Sequence, residues 1–436
     1  MTWAIRGVIE GFYGRPWTWD ERLEVMQWCS DRGMTHYIYA PKDDPLHRER
    51  WREAYASDQL SGFERLISSR TLDVGFGISP GLSIDYRSAD DRLALAAKVD
   101  QVLDVGVRLV CLALDDIPPR PGLGEEHAAL TEWLRNHLGD RADLILVPTE
   151  YTGTTSTPYL EALGANAPSD VPIAWTGATV VCDAITVAQA DARANALGGR
   201  PPLIWDNYPV NDAIMADRLF LGPLRGRDHG LREVCSGYVA NPMTQPNASK
   251  LPLASIAGYL RGEDELQVWE DEAVRLGVRA FAEACDGATP RSIVDQLRDA
   301  TVDDRRREAI AAIDRWLTEI DDFTPNDDIA DEVAPWVDQT RSEINVWRTA
   351  LRALQALDRG DREKATNEAL GLLFTWPRTR RGRVCVMGPR FGLRPKFGQW
   401  PDGSWRYEAD SVEEDANATD HLVRLALAEV GSLTDD

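Results

Sequence analysis

Basic side chains are scarce in this chain: 48 lysines and arginines stand against 71 aspartates and glutamates, a formal net charge of -23 over 436 residues. Phosphate backbones are bound by clustered Lys and Arg, so no nucleic acid partner is expected. The acidic residues are scattered rather than gathered in a tail, which reads as a well-solvated surface. Closely spaced cysteines are also missing: Cys29, Cys111, Cys182, Cys235, Cys285 and Cys385 include no CxxC pair, and Cys29, Cys111 and Cys385 sit among apolar neighbours, as buried reduced thiols do. No stretch approaches the roughly 18 apolar residues of a membrane span, and the N-terminus lacks a basic segment followed by an apolar run. A cytoplasmic protein with no membrane partner is expected. The six histidines form no HExxH or other close pair, and no glycine-rich nucleotide loop is visible, so neither a metal nor a cofactor is expected.

Short β-rich apolar runs fill the first half: Ile5–Glu10, His36–Ala40, Val74–Ile78, Leu109–Leu114, Leu144–Val147, Ile173–Trp175, Leu203–Trp205 and Tyr238–Ala240. Between them lie helical stretches, among them Trp19–Asp31 with Thr18 as N-cap, Asp90–Asp104, Glu125–Leu138 and Val187–Leu197. A repeat of about thirty to forty residues matches a strand, a crossover helix and two loops. The expected fold is a (β/α)8 TIM barrel over residues 1–250. A doubly wound open sheet fits less well, because Gly11–Gly14 does not open a long helix. From Leu251 the apolar period becomes helical, as in Ile310, Ile313, Trp316, Leu317 and Ile320, and again in Val333, Val337, Ile344, Trp347, Leu351 and Leu354. An α-helical domain over 251–436 is expected, with a basic, non-helical, internally salt-bridged segment at 378–396 and a final helix near Ala416–Val430. An exposed apolar helical face could support a homodimer.

Nearly every strand candidate ends in polar or aromatic residues, and in barrel enzymes those ends converge on one pocket. The sharpest is Leu114-Asp115-Asp116-Ile117-Pro118-Pro119, where a buried strand stops at two carboxylates. Other acidic pairs, such as Asp43-Asp44 and Asp90-Asp91, read as solvated caps. Two close carboxylates in a partly desolvated site cannot both ionise freely, so one is expected to hold a proton and serve as a general acid. Around them Asp212, Asn207 and Asn241 offer acceptors and amides, Lys42 a charged donor and Tyr151 a phenol. Trp175, Trp205 and Tyr13 offer flat faces for a pyranose ring, although the two tryptophans serve equally well as core and the two asparagines as loop caps. Carboxylates, amides and aromatics without a metal point to sugar chemistry.

Gly7-Val8-Ile9-Glu10-Gly11-Phe12-Tyr13-Gly14-Arg15-Pro16-Trp17 opens a longer set of motifs. Tyr39-Ala40-Pro41-Lys42-Asp43-Asp44 follows, with His47-Arg48 and Trp51-Arg52-Glu53, then Ile78-Ser79-Pro80-Gly81 and Asp115-Asp116-Ile117. Pro148-Thr149-Glu150-Tyr151, Trp175-Thr176-Gly177, Trp205-Asp206-Asn207 with Asn211-Asp212, and Asn241-Pro242 complete it. Together these resemble glycoside hydrolase family 84, which contains the O-GlcNAcases and related β-N-acetylglucosaminidases. The resemblance runs from about Gly7 to Lys250.

It implies a retaining exo-hydrolase in which the substrate's 2-acetamido oxygen is the nucleophile and an oxazoline is the intermediate, an exception to the usual two-carboxylate scheme. In that scheme Asp115 orients the acetamido N–H, and Asp116 protonates the leaving oxygen and later deprotonates water. Gly11, Lys42, Asn207, Asp212 and Asn241 match positions that grip the sugar, Tyr151 the tyrosine beside the acetamido pocket, and Trp205 a wall of it. The start of the chain near the first strand, with no preceding domain, binding module or acetyltransferase-like domain, implies a lean intracellular enzyme. The implied partner is a GlcNAc-bearing substrate, either a protein carrying GlcNAc on Ser or Thr or a small conjugate or cell-wall fragment. A non-catalytic sugar-binding barrel is the alternative from another class, and it would not need a protonatable pair.

Overall fold

The computed structural model describes residues 3–286, 288–300, 304–326, 329–388, 393–399, 405–411 and 417–431. The chain divides into two compact units, one of Met1–Ala213, Pro223–Val268 and Pro395–Glu408, the other of Ile214–Gly222, Trp269–Arg394 and Ala409–Asp436.

In the first unit eight parallel strands close into a barrel in chain order. They are β1 (Ile5–Glu10), β2 (His36–Tyr39), β3 (Asp73–Ile78), β4 (Leu109–Ala113), β5 (Asp143–Val147), β6 (Ile173–Trp175), β7 (Pro202–Asp206) and β8 (Gly237–Ala240). β8 returns to β1, with Gly237 opposite Ile5 and Ala240 opposite Val8. The chain places a helix after each strand: α1 (Trp19–Ser30), α2 (Ser57–Ser68), α3 (Ala89–Asp104), α4 (Leu123–Leu138), α5 (Pro158–Asn166), α6 (Val187–Ala196), α7 (Leu231–Val234) and α8 (Pro246–Arg261). The architecture is TIM-barrel-like, and the strands lie within a residue or so of the apolar runs. A parallel strand buried on both faces must be apolar throughout, which is what makes such runs readable. Thr18 caps α1 in a capping box with Glu21, and Ser88, Thr157 and Thr186 cap α3, α5 and α6. The barrel interior is filled by residues including Ile9, Ile38, Cys111, Ala113, Ile145, Val147, Ala174, Trp205 and Val239.

The remaining helices are α9 (Glu265–Arg275), α10 (Arg279–Asp286), α11 (Ala288–Asp299), α12 (Asp304–Asp321), α13 (Ala330–Asp358), α14 (Arg362–Thr379) and α15 (Ala418–Gly431). The periodic apolar positions on α12 and α13 are buried, and Trp316 and Trp347 meet at 5.8 Å between ring centroids. Trp347 donates to Thr419 Oγ1 at 2.7 Å, tying α13 to α15. On α14, Leu370, Leu373 and Phe374 are exposed. Residue 250, read as the end of the barrel domain, falls inside α8. The segment 378–396 is not wholly irregular: Arg378 and Thr379 complete α14, and β9 (Leu393–Gln399) pairs with β10 (Trp405–Ser411), while 389–392 lie outside the described residues. No described helix is long and apolar enough to cross a membrane. All six cysteines are free thiols, and Cys29, Cys111 and Cys385 are buried.

One carboxylate between the barrel strands and α1 ties three elements together. Glu10, at the end of β1, is wholly buried and takes a bidentate contact from Arg22 of α1, Nε to Oε2 at 2.8 Å and Nη2 to Oε1 at 2.9 Å. The Trp17 amide and the Tyr37 hydroxyl of β2 donate to the same group. Removing one partner of such a pair leaves an uncompensated buried charge. Arg22→Met should therefore lower barrel stability by about 3–5 kcal/mol in urea unfolding followed by tryptophan fluorescence, with much of the loss recovered when Glu10→Gln is added.

Candidate active site

β4 delivers the two adjacent aspartates to the C-terminal end of the barrel. The Leu114 amide continues the strand pairing onto Val147 O at 2.8 Å, and Thr149 Oγ1 donates to Leu114 O at 2.6 Å. Thr149 is itself fixed by its amide on Tyr159 Oη at 3.0 Å, and His127 contacts Tyr86 and Tyr159 hydroxyls through its two ring nitrogens. The turn carrying Asp115 and the loop carrying Tyr151 thus share one buried support.

Asp115 is 6% exposed, and its Oδ2 receives Lys42 Nζ at 2.5 Å. Its Oδ1 is buried with no protein hydrogen-bond partner. Lys42, expected to grip a ligand directly, is therefore engaged with a carboxylate, from a loop after β2 that its amide anchors on Phe12 O.

Asp116 points its carboxylate elsewhere. Tyr13 donates to Oδ2 at 2.7 Å and Tyr151 to Oδ1 at 2.9 Å, while Arg48 Nη1 lies 3.7 Å from Oδ2. Its backbone is left-handed at φ +52, a region that Asp enters more readily than most residues. The expected raised pKa is not found at Asp116. Burial works to raise it, but Lys42, the hydrogen bonds from Tyr13 and Tyr151, and Arg48 outweigh burial and hold it below the usual carboxylate range. The neighbouring Asp212 is shifted the other way, chiefly by burial, and its Oδ2 accepts the Tyr13 amide at 2.7 Å. Burial and Asp116 together keep the Tyr13 phenol protonated far above its ordinary range.

The other expected residues interlock on the opposite side. Asn241 Oδ1 accepts the Gly11 amide at 3.1 Å, and its Nδ2 donates to Asn207 Oδ1 at 3.0 Å. The same oxygen takes the Trp205 indole N–H at 2.9 Å, and Asn207 Nδ2 donates to Val180 O at 2.8 Å. Trp205 lies in the barrel core with Tyr151 packed against it. Tyr13, offered as a flat face, turns its hydroxyl inward while the residue is 36% exposed. Trp175 is fully buried, with its indole N–H on Gly153 O, and so belongs to the core rather than to a ring platform.

Several acidic strand ends are structural. Asp206 is 1% exposed and held bidentately by Arg227 at 2.8 and 2.7 Å, with the Tyr238 hydroxyl at 2.5 Å. Asp44, read as a solvated cap, is buried instead and accepts from the hydroxyls of Tyr39 at 2.8 Å and Tyr55 at 2.6 Å. Its aromatic partners come from β2 and from the segment before α2, so the pair motif alone could not reveal them. Arg48 belongs to a quoted motif, yet nothing in its spacing separates it from the solvated arginines around it. Among the described residues no group of three or more His, Cys, Asp or Glu side chains is gathered as a metal site.

A closed parallel barrel whose strand ends carry adjacent aspartates, one buried and one half-buried, amid amides and aromatics has the site of a glycoside hydrolase. The sequence profile of the family described as beta-N-acetylglucosaminidase matches residues 6–288. The chain belongs to that family, glycoside hydrolase family 84. The protein O-GlcNAcases of Rattus norvegicus and Mus musculus are each 33% identical over 305 residues, which is 64% of this chain and 33% of theirs. The chain thus spans about a third of the length of these curated relatives. An Asp-to-Asn variant of the O-GlcNAc hydrolase of Thermobaculum terrenum superposes with a TM-score of 0.81 at 25% identity, covering 99% of this chain and 95% of that one. CpGH84B shares the fold, with a TM-score of 0.79 at 24% identity over 88% and 75% of the two chains.

Gly11 can be tested by packing alone. A Cβ on it would lie 2.3 Å from Trp205 Cζ2 and 2.7 Å from Cη2, so only glycine lets the indole close on the β1 end. Gly11→Ala should cost about 1–3 kcal/mol of stability through overpacking, read by calorimetry, and should change the emission of the displaced indole.

Proposed function

We propose that the protein is a retaining exo-β-N-acetylglucosaminidase working by substrate-assisted catalysis. The observation that carries this reading is the division of labour between two neighbours. Asp115 has one oxygen neutralised by Lys42 and the other buried without a partner, whereas Asp116 is surrounded by donors at the exposed edge of the site. An ionised carboxylate with one free oxygen is an acceptor for an N–H, and the 2-acetamido group of a GlcNAc residue supplies one.

In this reading the acetamido N–H donates to Asp115 Oδ1, which makes the amide oxygen more nucleophilic. That oxygen attacks the anomeric carbon as the bond to the aglycone oxygen breaks, and Asp116 transfers its proton to the departing oxygen. The result is an oxazoline, the acetamido N–H proton passing to Asp115 as the ring closes and returning to the nitrogen when the ring opens. Water then attacks the same carbon from the aglycone side, Asp116 takes its proton, and the ring opens to restore the acetamide with retained configuration. Asp116 is held below the usual carboxylate range, so in this reading it takes up its proton as the sugar enters. A sugar that expels water from around it strengthens the desolvation that favours the neutral acid. Asn207, Asn241 and Asp212 would hold hydroxyls, with Trp205 and Tyr151 walling the acetamido pocket. The (β/α)8 frame accounts for why these residues come from different strand ends. The relatives' names support O-linked GlcNAc on Ser or Thr of proteins as the substrate, and the sugar pocket itself would serve a small GlcNAc conjugate equally.

The test is hydrolysis of aryl and alkyl N-acetyl-β-glucosaminides. Asp116→Asn should reduce kcat/KM by about 10²–10⁴-fold on an alkyl or seryl glycoside but far less on a dinitrophenyl glycoside, whose leaving group needs no proton. Asp115→Asn should slow both classes by roughly 10²-fold or more, because it acts on the nucleophile. Equal losses in Asp116→Asn on both substrates, or a normal aryl rate in Asp115→Asn, would remove the respective role. A wild-type protein that binds the sugar and releases no aglycone would make this a binding barrel.

A further inference from the structure

Arg48 stands outside every role assigned above, yet its guanidinium meets the acid–base residue and that residue's tyrosine at three points. It lies on the loop after β2 and is 7% exposed. Nη1 donates to Tyr13 Oη at 2.8 Å, and Nη2 donates to the main-chain oxygen of Asp116 at 3.2 Å. Nη1 also approaches Asp116 Oδ2 at 3.7 Å, and the guanidinium carbon lies 5.8 Å from the centre of the Tyr13 ring.

Two consequences follow from the chemistry of these groups. A guanidinium has donors only, so the Tyr13 oxygen accepts from Arg48 and its own hydrogen is left to point at Asp116 Oδ2, 2.7 Å away. The main-chain contact falls on a residue whose φ of +52 is left-handed, uncommon for a residue with a side chain though less so for Asp, and it fastens that peptide's carbonyl. We propose that Arg48 is the positioning residue of the acid–base carboxylate, holding the left-handed Asp116 turn and fixing the Tyr13 hydroxyl as a donor to it. The proposal rests on the assignment of Asp116 as proton donor.

The charge of Arg48 has a separate signature. The groups facing the Asp116 carboxylate include the Tyr13 and Tyr151 hydroxyls, the cations Lys42 and Arg48, and the carboxylate Asp212, with Asp115 next to it in the chain. Burial raises Asp116, and Lys42, the two tyrosines and Arg48 lower it. Loss of the Arg48 cation therefore raises Asp116. A group that must be protonated to act as an acid fails as pH rises through its pKa, so the high-pH limb of kcat/KM should move upward.

The experiment compares wild type, Arg48→Gln, Arg48→Lys and Tyr13→Phe on an alkyl and a dinitrophenyl N-acetyl-β-glucosaminide across pH. Arg48→Gln is expected to lose about 10²-fold in kcat on the alkyl substrate, with KM changed by less than about threefold, a smaller loss on the aryl substrate and a high-pH limb displaced upward. Arg48→Lys keeps the charge but cannot span both oxygens, so it should keep the limb near wild type while losing kcat. In the Tyr13→Phe background the effect of Arg48→Gln should shrink, because part of it passes through the phenol. Should Arg48→Gln fail to fold, Arg48→Lys with wild-type kcat on the alkyl substrate overturns the proposal. So does a folded Arg48→Gln that raises KM alone, loses equally on both substrates or leaves the limb unmoved. A wild-type protein inactive on both substrates would instead refute the hydrolase reading, and that outcome is distinguishable because it needs no variant.

Discussion

The pairing of Lys42 with Asp115 is the contact on which the rest of the site depends. A carboxylate 6% exposed cannot stand ionised without a cation or several donors, and Lys42 Nζ at 2.5 Å supplies one partner to one oxygen only. The other oxygen is buried and has no partner within the protein. Elsewhere in the barrel the same problem is solved completely: Glu10 takes four donors, and Asp206 takes a bidentate arginine and a tyrosine. The contrast sets carboxylates that hold the scaffold apart from Asp115, whose second oxygen the proposed mechanism assigns to the acetamido N–H.

The second aspartate extends that logic. Asp116 occupies the next residue, but its left-handed backbone turns its carboxylate to Tyr13 and Tyr151 instead of to its neighbour's lysine. Two adjacent groups can thereby reach two parts of one sugar. The expectation that crowding would raise the pKa of one of the pair is not met at Asp116, because it counted carboxylates and omitted the cations and phenols. Lys42 and Arg48 arrive from the loop after β2, and they reverse the sign of the shift at Asp116. In the proposed mechanism protonation is gained with the substrate, which would couple sugar binding to readiness for proton transfer.

The barrel was legible in the sequence because eight apolar runs carry their own boundaries, and α1 announces itself through its cap Thr18. α7 has only four residues and α8 contains Pro252, so neither presents a clean periodic face. At the site, the position of Asp115 and Asp116 was legible from a strand that ends in charge. Which of the acidic strand ends are structural was not, because the partners are remote: Arg22 lies 12 residues from Glu10 and Arg227 lies 21 from Asp206. Trp175 could be core or platform on composition alone, and only the packing decided. Arg48 carried no signal in its neighbours, since its meaning comes from Tyr13 and Asp116, 35 and 68 residues away.

The central claim is that the nucleophile belongs to the substrate and is oriented by the free oxygen of Asp115. It is tested most directly with a series of aryl β-glucosaminides whose N-acetyl group carries none, one, two or three fluorines. Each fluorine withdraws electrons from the amide oxygen without removing the N–H, so kcat/KM should fall steeply and regularly along the series. A rate indifferent to fluorination would contradict the account, because it would place the nucleophile on the protein or in water.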